Sequence, residues 1–398
     1  MSASSTPPSM IVREWVQGIR TVSTETVSLV EGIGRVLARP ITADRDHPPV
    51  DMSAMDGYAV RYDDPSERIW KISDTSARIG QPRVHCEPGQ AVYIVTGAPV
   101  PWGADTVIRV EDVIVESGNL RLKPSARVIR GANIRRQGEN VATGSIVVEA
   151  GVPIYESVIS TGATFGISVL EVFRKVKVGL IVTGDELLGA DENPQEYQIR
   201  DGSGPAILAA LNRLFWVRCD QYQRVGDDLS LIRLTLNRAL EDCDAVILTG
   251  GMSMGERDFV PQAVQDVGAR LCFHRLPIRP GKPTLGALTP DGKPIVGLPG
   301  NPVSTLVTFK RFAMPALRRR AGFKVPDQPV PCVHTTGELP SDAMLWHYKP
   351  VRLQADGPAL ISRWVSSADV TSAACSDGFI EIPPVPRTEN CFFRFYAW

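Results

Sequence analysis

The chain has 398 residues, too many for one ordinary domain, so about two to four domains are expected. Lys and Arg number 43 against 44 Asp and Glu, and a net charge of −1 gives no general electrostatic reason to expect a nucleic-acid partner. The seven cysteines are scattered without a Cys-x-x-Cys pair, which speaks against a disulfide scaffold or a zinc ribbon and for a reducing compartment. The opening MSASSTPPSM lacks the pattern of a signal peptide, and no apolar run reaches transmembrane length. A cytoplasmic protein without a membrane partner is expected.

In chain order, Ser9 is expected to cap a short helix carrying Ile11, Trp15 and Ile19 on one face. A second helix is expected over Leu29–Ala38, ended by Pro40. From about Val60 to Val148 the pattern changes to short alternating runs such as Ala91–Val95, Thr106–Val110 and Val113–Val115, separated by turns rich in Gly, Pro and Asn. That stretch reads as a β-rich domain, closed by a helix near Pro153–Gly162. After Lys175, strand-like and helix-like segments alternate as far as Arg320. The alternation predicts a doubly wound parallel sheet with helices on both faces. Pro331–Trp398 reads as short strands forming a small separate β-domain.

The chemistry concentrates in DAVILTGGMSMGERDFVP, Asp244–Pro261. A buried-strand run, Ala245–Leu248, leads into Gly250, Gly251, Ser253, Gly255 and Asp258. Such residues lie at the carboxyl end of a strand, where open α/β sheets bind ligands, and the glycines let backbone approach closely. Two further loops share this character. Arg279–Thr284 mixes Arg279 and Lys282 with Pro and Gly, and Leu298–Ser304 places Pro299, Asn301, Pro302 and Ser304 in a rigid turn opening a helix. Together these loops predict a site for an anionic, phosphate-bearing ligand. The long, aperiodic loop from Thr183 to Ser203 adds Glu186, and a functional role is expected for it.

Seven segments occurring in order carry a resemblance. They are SAMDGYAV from Ser53, TGAPVP from Thr96, NIRRQGE from Asn133, TGDEL from Thr183, the Gly250–Asp258 loop, RPGKP from Arg279 and GLPGNPVS from Gly297. In these the chain resembles the molybdopterin molybdenumtransferase family, the bacterial MoeA type and the E domain of gephyrin. The resemblance implies insertion of molybdate into adenylylated molybdopterin with release of AMP, a divalent cation (Mg²⁺, with Zn²⁺ the other candidate) and an elongated homodimer. In that dimer the N-terminal β-domain of one subunit would face the α/β domain of the other. It also implies a layout of an N-terminal helix at 9–24, a linking domain over 25–46 and 145–174, and an inserted β-rich domain at 47–144. An α/β molybdopterin-binding domain at 175–325 and a C-terminal barrel-like β-domain at 326–398 complete it.

The chemistry sets its own requirements. Polyphosphate and molybdate are anions, so cations must converge: Arg279 and Lys282, with Arg275 before them and Arg135 and Arg136 from the inserted domain. Cleaving a phosphoanhydride is assisted by a hard cation held on carboxylates, for which Asp56, Glu186, Asp227 and Asp258 are the candidates. Capping of the helix starting at Leu229 competes as a role for Asp227. Asp56 in Met-Asp-Gly-Tyr would by itself read as a turn residue, and only the resemblance makes it, beside Glu186 and Asp258, a catalytic candidate. Thr96 and Gly97 follow a strand and offer a hydroxyl and N–H groups to an oxyanion. Two positions depart from the family pattern: Asn140 stands where an Asp is usual, and Ser203 where an Asn is usual. They leave open a non-catalytic molybdopterin-binding or scaffold paralogue. The adenylyltransferase of the preceding step is a third reading, which the additional N-terminal domains disfavour.

Overall fold

A computed structural model describes residues 6–62, 69–253, 255, 257–336, 339–340, 344–364, 366–384 and 392–398. The chain divides into two compact units, each taken by itself below. The first comprises residues up to Arg39, Ala150–Ile159 and Ser168–Trp398; the second comprises Pro40–Glu149 and Ser160–Ile167.

The first unit opens with the helix Pro8–Gln17. Pro8 occupies the first turn, where its fixed φ suits a helix start, and Val12, Trp15 and Val16 form the buried face. Ser9 lies inside this turn, and no side chain caps the helix. The helix expected over 29–38 does not form. A single 3₁₀ turn, Val30–Gly32, is followed by Gly34 at φ 71° and the two-residue strand Val36–Leu37. Gly34 ends the helical path, and a Cβ there would lie 2.5 Å from that of Phe215. Leu37 and Val36 instead pair with Val172 and Phe173 of the strand Val169–Phe173, whose other edge carries Thr24–Ser28.

The centre of this unit is a six-stranded sheet. Its order is Val217–Val225, Val176–Thr183, Ala245–Thr249, Pro294–Leu298, Leu285–Leu288, Arg270–His274. The first four strands are parallel. The last two extend the doubly wound sheet with an antiparallel edge. Strand alternation assigns the two faces. Ala245 and Ile247 pack with Trp15, Ile207, Leu211 and Val303 on one side, while Val246 and Leu248 pack with Ile232, Leu236 and Val260 on the other. These are the two helical layers that the alternation predicts.

The helical path Pro302–Arg320 contains a π turn at Phe309–Ala313. Beyond it lies a barrel closed by five strands: Trp346–Arg352, Ala359–Ile361, Cys332–Thr336, Phe392–Ala397 and Gly378–Ile382, the last pairing back to the first. The short strand Ile278–Arg279 joins the barrel edge, with Arg279 opposite His347. A buried knot ties the unit together. Asp244 accepts from Arg174 at 2.5 and 2.7 Å, from the Lys177 N–H at 2.9 Å and from Arg320 at 3.3 Å. Burial alone would raise the Asp244 carboxyl, but these donors hold it below its ordinary range.

The second unit is β-rich. Its main sheet runs Thr106–Arg109, Gly57–Val60, Gln90–Ile94, Ile69–Ala77, Asn119–Leu122, Val113–Glu116. Two short pairs, Met52–Ser53 with Ile134–Arg135 and Ile41–Thr42 with Ile146–Val148, complete it. The helix Glu156–Thr164, divided between the two units at Ile159, falls close to its expected place.

Candidate active site

Within the first unit, a cavity of about 1100 Å³ opens at the carboxyl ends of the parallel strands. It is formed by the loops that follow Thr183, Val225, Thr249 and Leu298. Of the residues expected to bind ligand, it brings together Gly250, Gly251, Ser253, Gly255, Arg279, Lys282, Pro299, Asn301, Pro302 and Ser304. Glu186, Asp227 and Asp258 line it as well.

The glycine loop is shaped by steric necessity. Gly250 adopts φ 93°, and a Cβ there would lie 2.2 Å from the Thr183 carbonyl oxygen. Among the described residues the buried Thr183 Oγ1 has no hydrogen-bond partner, and a Cβ on Gly251 would stand 2.9 Å from it. Any side chain at these two positions would therefore crowd the space between the ends of the strands Val176–Thr183 and Ala245–Thr249. Arg275 is not among the described residues lining the cavity. Its guanidinium donates to the Ser253 carbonyl at 3.2 Å and so holds the loop from behind. His274 meets the Met252 carbonyl at 3.3 Å, a structural contact.

The acidic side of the cavity is organised around Asp227. Its N–H donates to Asp185 at 3.0 Å, and the Asp185 N–H donates back at 3.3 Å. Burial pushes the Asp227 carboxyl above its ordinary range; the Asp185 N–H opposes this, while the charges of Asp185, Glu186 and Asp258 add to the rise. Capping of the helix Leu229–Asp242 falls to Asp228, which accepts from Leu231 at 2.8 Å. Asp227 is thereby left to the cavity. Asp258 accepts the Gly255 N–H at 2.6 Å, and Arg257 pairs with Asp185 at 2.9 Å. Glu256, inside the same loop, lies outside the described residues.

The basic side differs. Arg279 and Lys282 are exposed in the cavity, and among the described residues neither has an ion-pair partner. The Asn301 amide donates to Ser367 at 3.0 Å. Ser203 is buried, with its Oγ 3.3 Å from the Gly300 carbonyl and from Thr305 Oγ1, so it braces the Pro-Gly-Asn-Pro turn. Asp201 accepts the N–H groups of Ser203 and Gly204 and the Tyr222 hydroxyl.

In the second unit, Asp56 lies just before the strand Gly57–Val60 and accepts both the N–H and the hydroxyl of Thr96, at 2.6 and 2.9 Å. The oxyanion that Thr96 meets is thus a side chain of this chain. The Thr96 N–H, and then its hydroxyl, hold the Asp56 carboxyl below its ordinary range. Gly97 donates its N–H to Ser53 at 2.8 Å, fixing the two turns side by side. Arg135 bonds Glu139 at 2.8 Å, and Arg136 bonds Asp51 at 2.7 Å. Asn140 donates its N–H to the His47 carbonyl at 3.0 Å.

Sequence reasoning missed one wall of the cavity. It comes from the C-terminal barrel: His347, Lys349, Trp364 and Ser366–Ala368. The Lys349 ammonium lies 4.8 Å from the centre of the Trp364 ring. These residues sit in a strand and a loop without a motif, so only the pairing of Arg279 with His347 reveals their place.

The fold and this cavity define a class, an α/β protein with a large polar cavity at the carboxyl ends of its parallel strands. Comparison with known proteins agrees and narrows it. Residues 9–166 match the MoeA N-terminal region (domain I and II), and residues 179–319 match the probable molybdopterin binding domain. A molybdopterin molybdenumtransferase of Staphylococcus epidermidis is 33% identical over 304 residues, 75% of this chain and 72% of the relative. One from Nostoc sp. is 35% identical over 328 residues, 80% and 74% respectively. The crystal structure of the molybdopterin biosynthesis moeA protein from Pyrococcus horikoshii OT3 superposes with a TM-score of 0.81 at 27% identity, covering 98% of this chain and all of that one. The chain belongs to the molybdopterin molybdenumtransferase family and acts as a transferase in molybdenum cofactor biosynthesis.

Proposed function

We propose that the cavity binds adenylylated molybdopterin and molybdate, and that molybdate insertion there is coupled to AMP release. The observation that carries this reading is that Arg279 and Lys282, without an ion-pair partner among the described residues, line the same cavity as Glu186, Asp227 and Asp258. Unpaired cations neutralise phosphate and molybdate oxygens without first giving up a partner. Thr183, Ser253, Asn301 and Ser304 supply hydroxyl and amide groups beside them.

The carboxylates have the oxygen chemistry of a hard divalent cation. Among the described residues no three acidic, His or Cys side chains stand together as a ready ligand set. Mg²⁺ is commonly held by one or two carboxylates together with substrate phosphates; Zn²⁺ is the other candidate. One or two of Glu186, Asp227 and Asp258 are the proposed holders of the cation within the first unit; Asp56, in the second unit, is a separate candidate. Such a cation would supply charge neutralisation to a polyphosphate ligand. Asp56, kept ionised by Thr96, is the proposed catalytic carboxylate with Glu186 and Asp258. Arg135 and Arg136 are proposed as weaker ligand contacts, because each must exchange a carboxylate partner.

The five-part domain layout, a cytoplasmic location and a homodimer complete the proposal; light scattering at twice the chain mass tests the last. The function is tested by incubating the purified protein with adenylylated molybdopterin, molybdate and Mg²⁺ while following AMP. Molybdate-dependent release that is abolished in Asp56→Asn and Glu186→Gln supports the reading. Tight ligand binding without release in the unsubstituted protein would establish a binding paralogue instead.

A further inference from the structure

The barrel wall of the cavity must be held in place, and one buried group is arranged to hold it. Arg311 is fully buried in the π turn Phe309–Ala313, a helix irregularity that is frequent at functional sites. Its Nε donates to Glu381 at 3.0 Å, and its Nη1 reaches Asp327 at 3.4 Å. Its Nη2 has no hydrogen-bond partner among the described residues, so part of the guanidinium is buried without compensation by a hydrogen bond. Glu381 also accepts from the hydroxyls of Tyr348 and Tyr396, each at 3.2 Å.

The consequence follows from strand geometry. Tyr348 pairs in register with Glu381 and belongs to the strand Trp346–Arg352. Successive side chains of a strand point to opposite faces. With Tyr348 turned toward Arg311 and Glu381, its neighbours His347 and Lys349 turn toward the cavity, which both of them line. The helical path that carries Arg311 begins at Pro302, beside the cavity residues Asn301 and Ser304. One helix therefore fixes both the phosphate-side turn and, through Arg311, the opposite wall.

We propose that Arg311 is a positioning residue: paired with Glu381, it sets the register of the barrel strand that presents His347 and Lys349 to the ligand. It thus governs ligand affinity without touching the ligand. This rests on the functional reading above for the identity of the ligand, but not for the geometry.

The test separates positioning from stability. Replacing both members of a buried ion pair can leave stability nearly unchanged, whereas removing one strands the other. The Arg311→Met/Glu381→Gln double variant keeps an acceptor for both tyrosines and is expected to melt within about 3 °C of the unsubstituted protein. At matched stability its KM for adenylylated molybdopterin is expected to rise about fivefold or more with kcat little changed, the signature of lost binding rather than lost chemistry. Arg311→Lys, with the charge but not the fork, is expected to fall between. An unchanged KM in the double variant overturns the proposal. So does a KM that merely follows melting temperature across the three proteins. If the unsubstituted protein neither binds nor turns over adenylylated molybdopterin, the functional reading fails first. Hydrogen exchange across 346–352 then decides: faster exchange in the double variant at matched melting temperature supports the pin, and unchanged exchange refutes it.

Discussion

Two regions of this molecule carry arginines in family motifs, and they treat them in opposite ways. In the second unit Arg135 and Arg136 are neutralised by Glu139 and Asp51, and Asp56 is occupied by hydrogen bonds from Thr96. In the first unit Arg279 and Lys282 project into the cavity without a charged partner among the described residues. A paired charge must exchange one partner for another on binding, with little net gain, whereas an unpaired cation in a concave site gains a new contact outright. The difference ranks residues that look equivalent as motifs.

The largest effect is expected from Arg279→Ala/Lys282→Ala. Losing two charge-assisted contacts of about 1.5–3 kcal/mol each weakens binding by roughly a hundredfold or more. Isothermal titration with adenylylated molybdopterin measures it, and a change below tenfold would end the claim that unpaired cations dominate. Next comes Asp244→Ala, which leaves two partly buried guanidinium groups facing an empty position and is expected to cost about 3 kcal/mol in urea unfolding of the first unit. The pH dependence has a definite sign. The Asp244 carboxyl is held below its unfolded value, so its contribution is full above about pH 4 and is lost as pH falls toward the folded pKa. Asp244→Asn should flatten that acid limb. Gly250→Ala, with its Cβ pressed 2.2 Å from a carbonyl, is expected to cost about 2 kcal/mol and to distort the cavity, weakening ligand binding in the same titration. The smallest effect belongs to Arg136→Ala: binding weaker by less than about tenfold, and stability changed by under about 1 kcal/mol. If Arg136→Ala weakens binding as much as Lys282→Ala does, the comparison between the regions breaks.

The α/β layer was legible because buried parallel strands are continuous apolar runs and their helices have a strict period, as in Val176–Thr183 and Leu229–Asp242. The cavity loops were legible because glycines and cations after such strands have few other uses. The helix expected at Leu29–Ala38 failed for a non-local reason. Val30, Ile33 and Leu37 have helical spacing, but Val36 and Leu37 find partners in Val172 and Phe173, far along the chain, and Gly34 takes a left-handed turn.

The sequence by itself determined which strands would be buried, which loops would meet at their carboxyl ends and which family the motifs resemble. Local spacing and local chemistry suffice for these. Only the tertiary structure decided which charges remain unpaired, that Asp228 rather than Asp227 caps its helix, and that the C-terminal barrel walls the cavity. Each depends on a partner brought near by folding: Asp51 for Arg136, Leu231 for Asp228, and Arg279 for the strand that carries His347. Pairing energy is a property of distance in space, and the order of residues along a chain does not encode it.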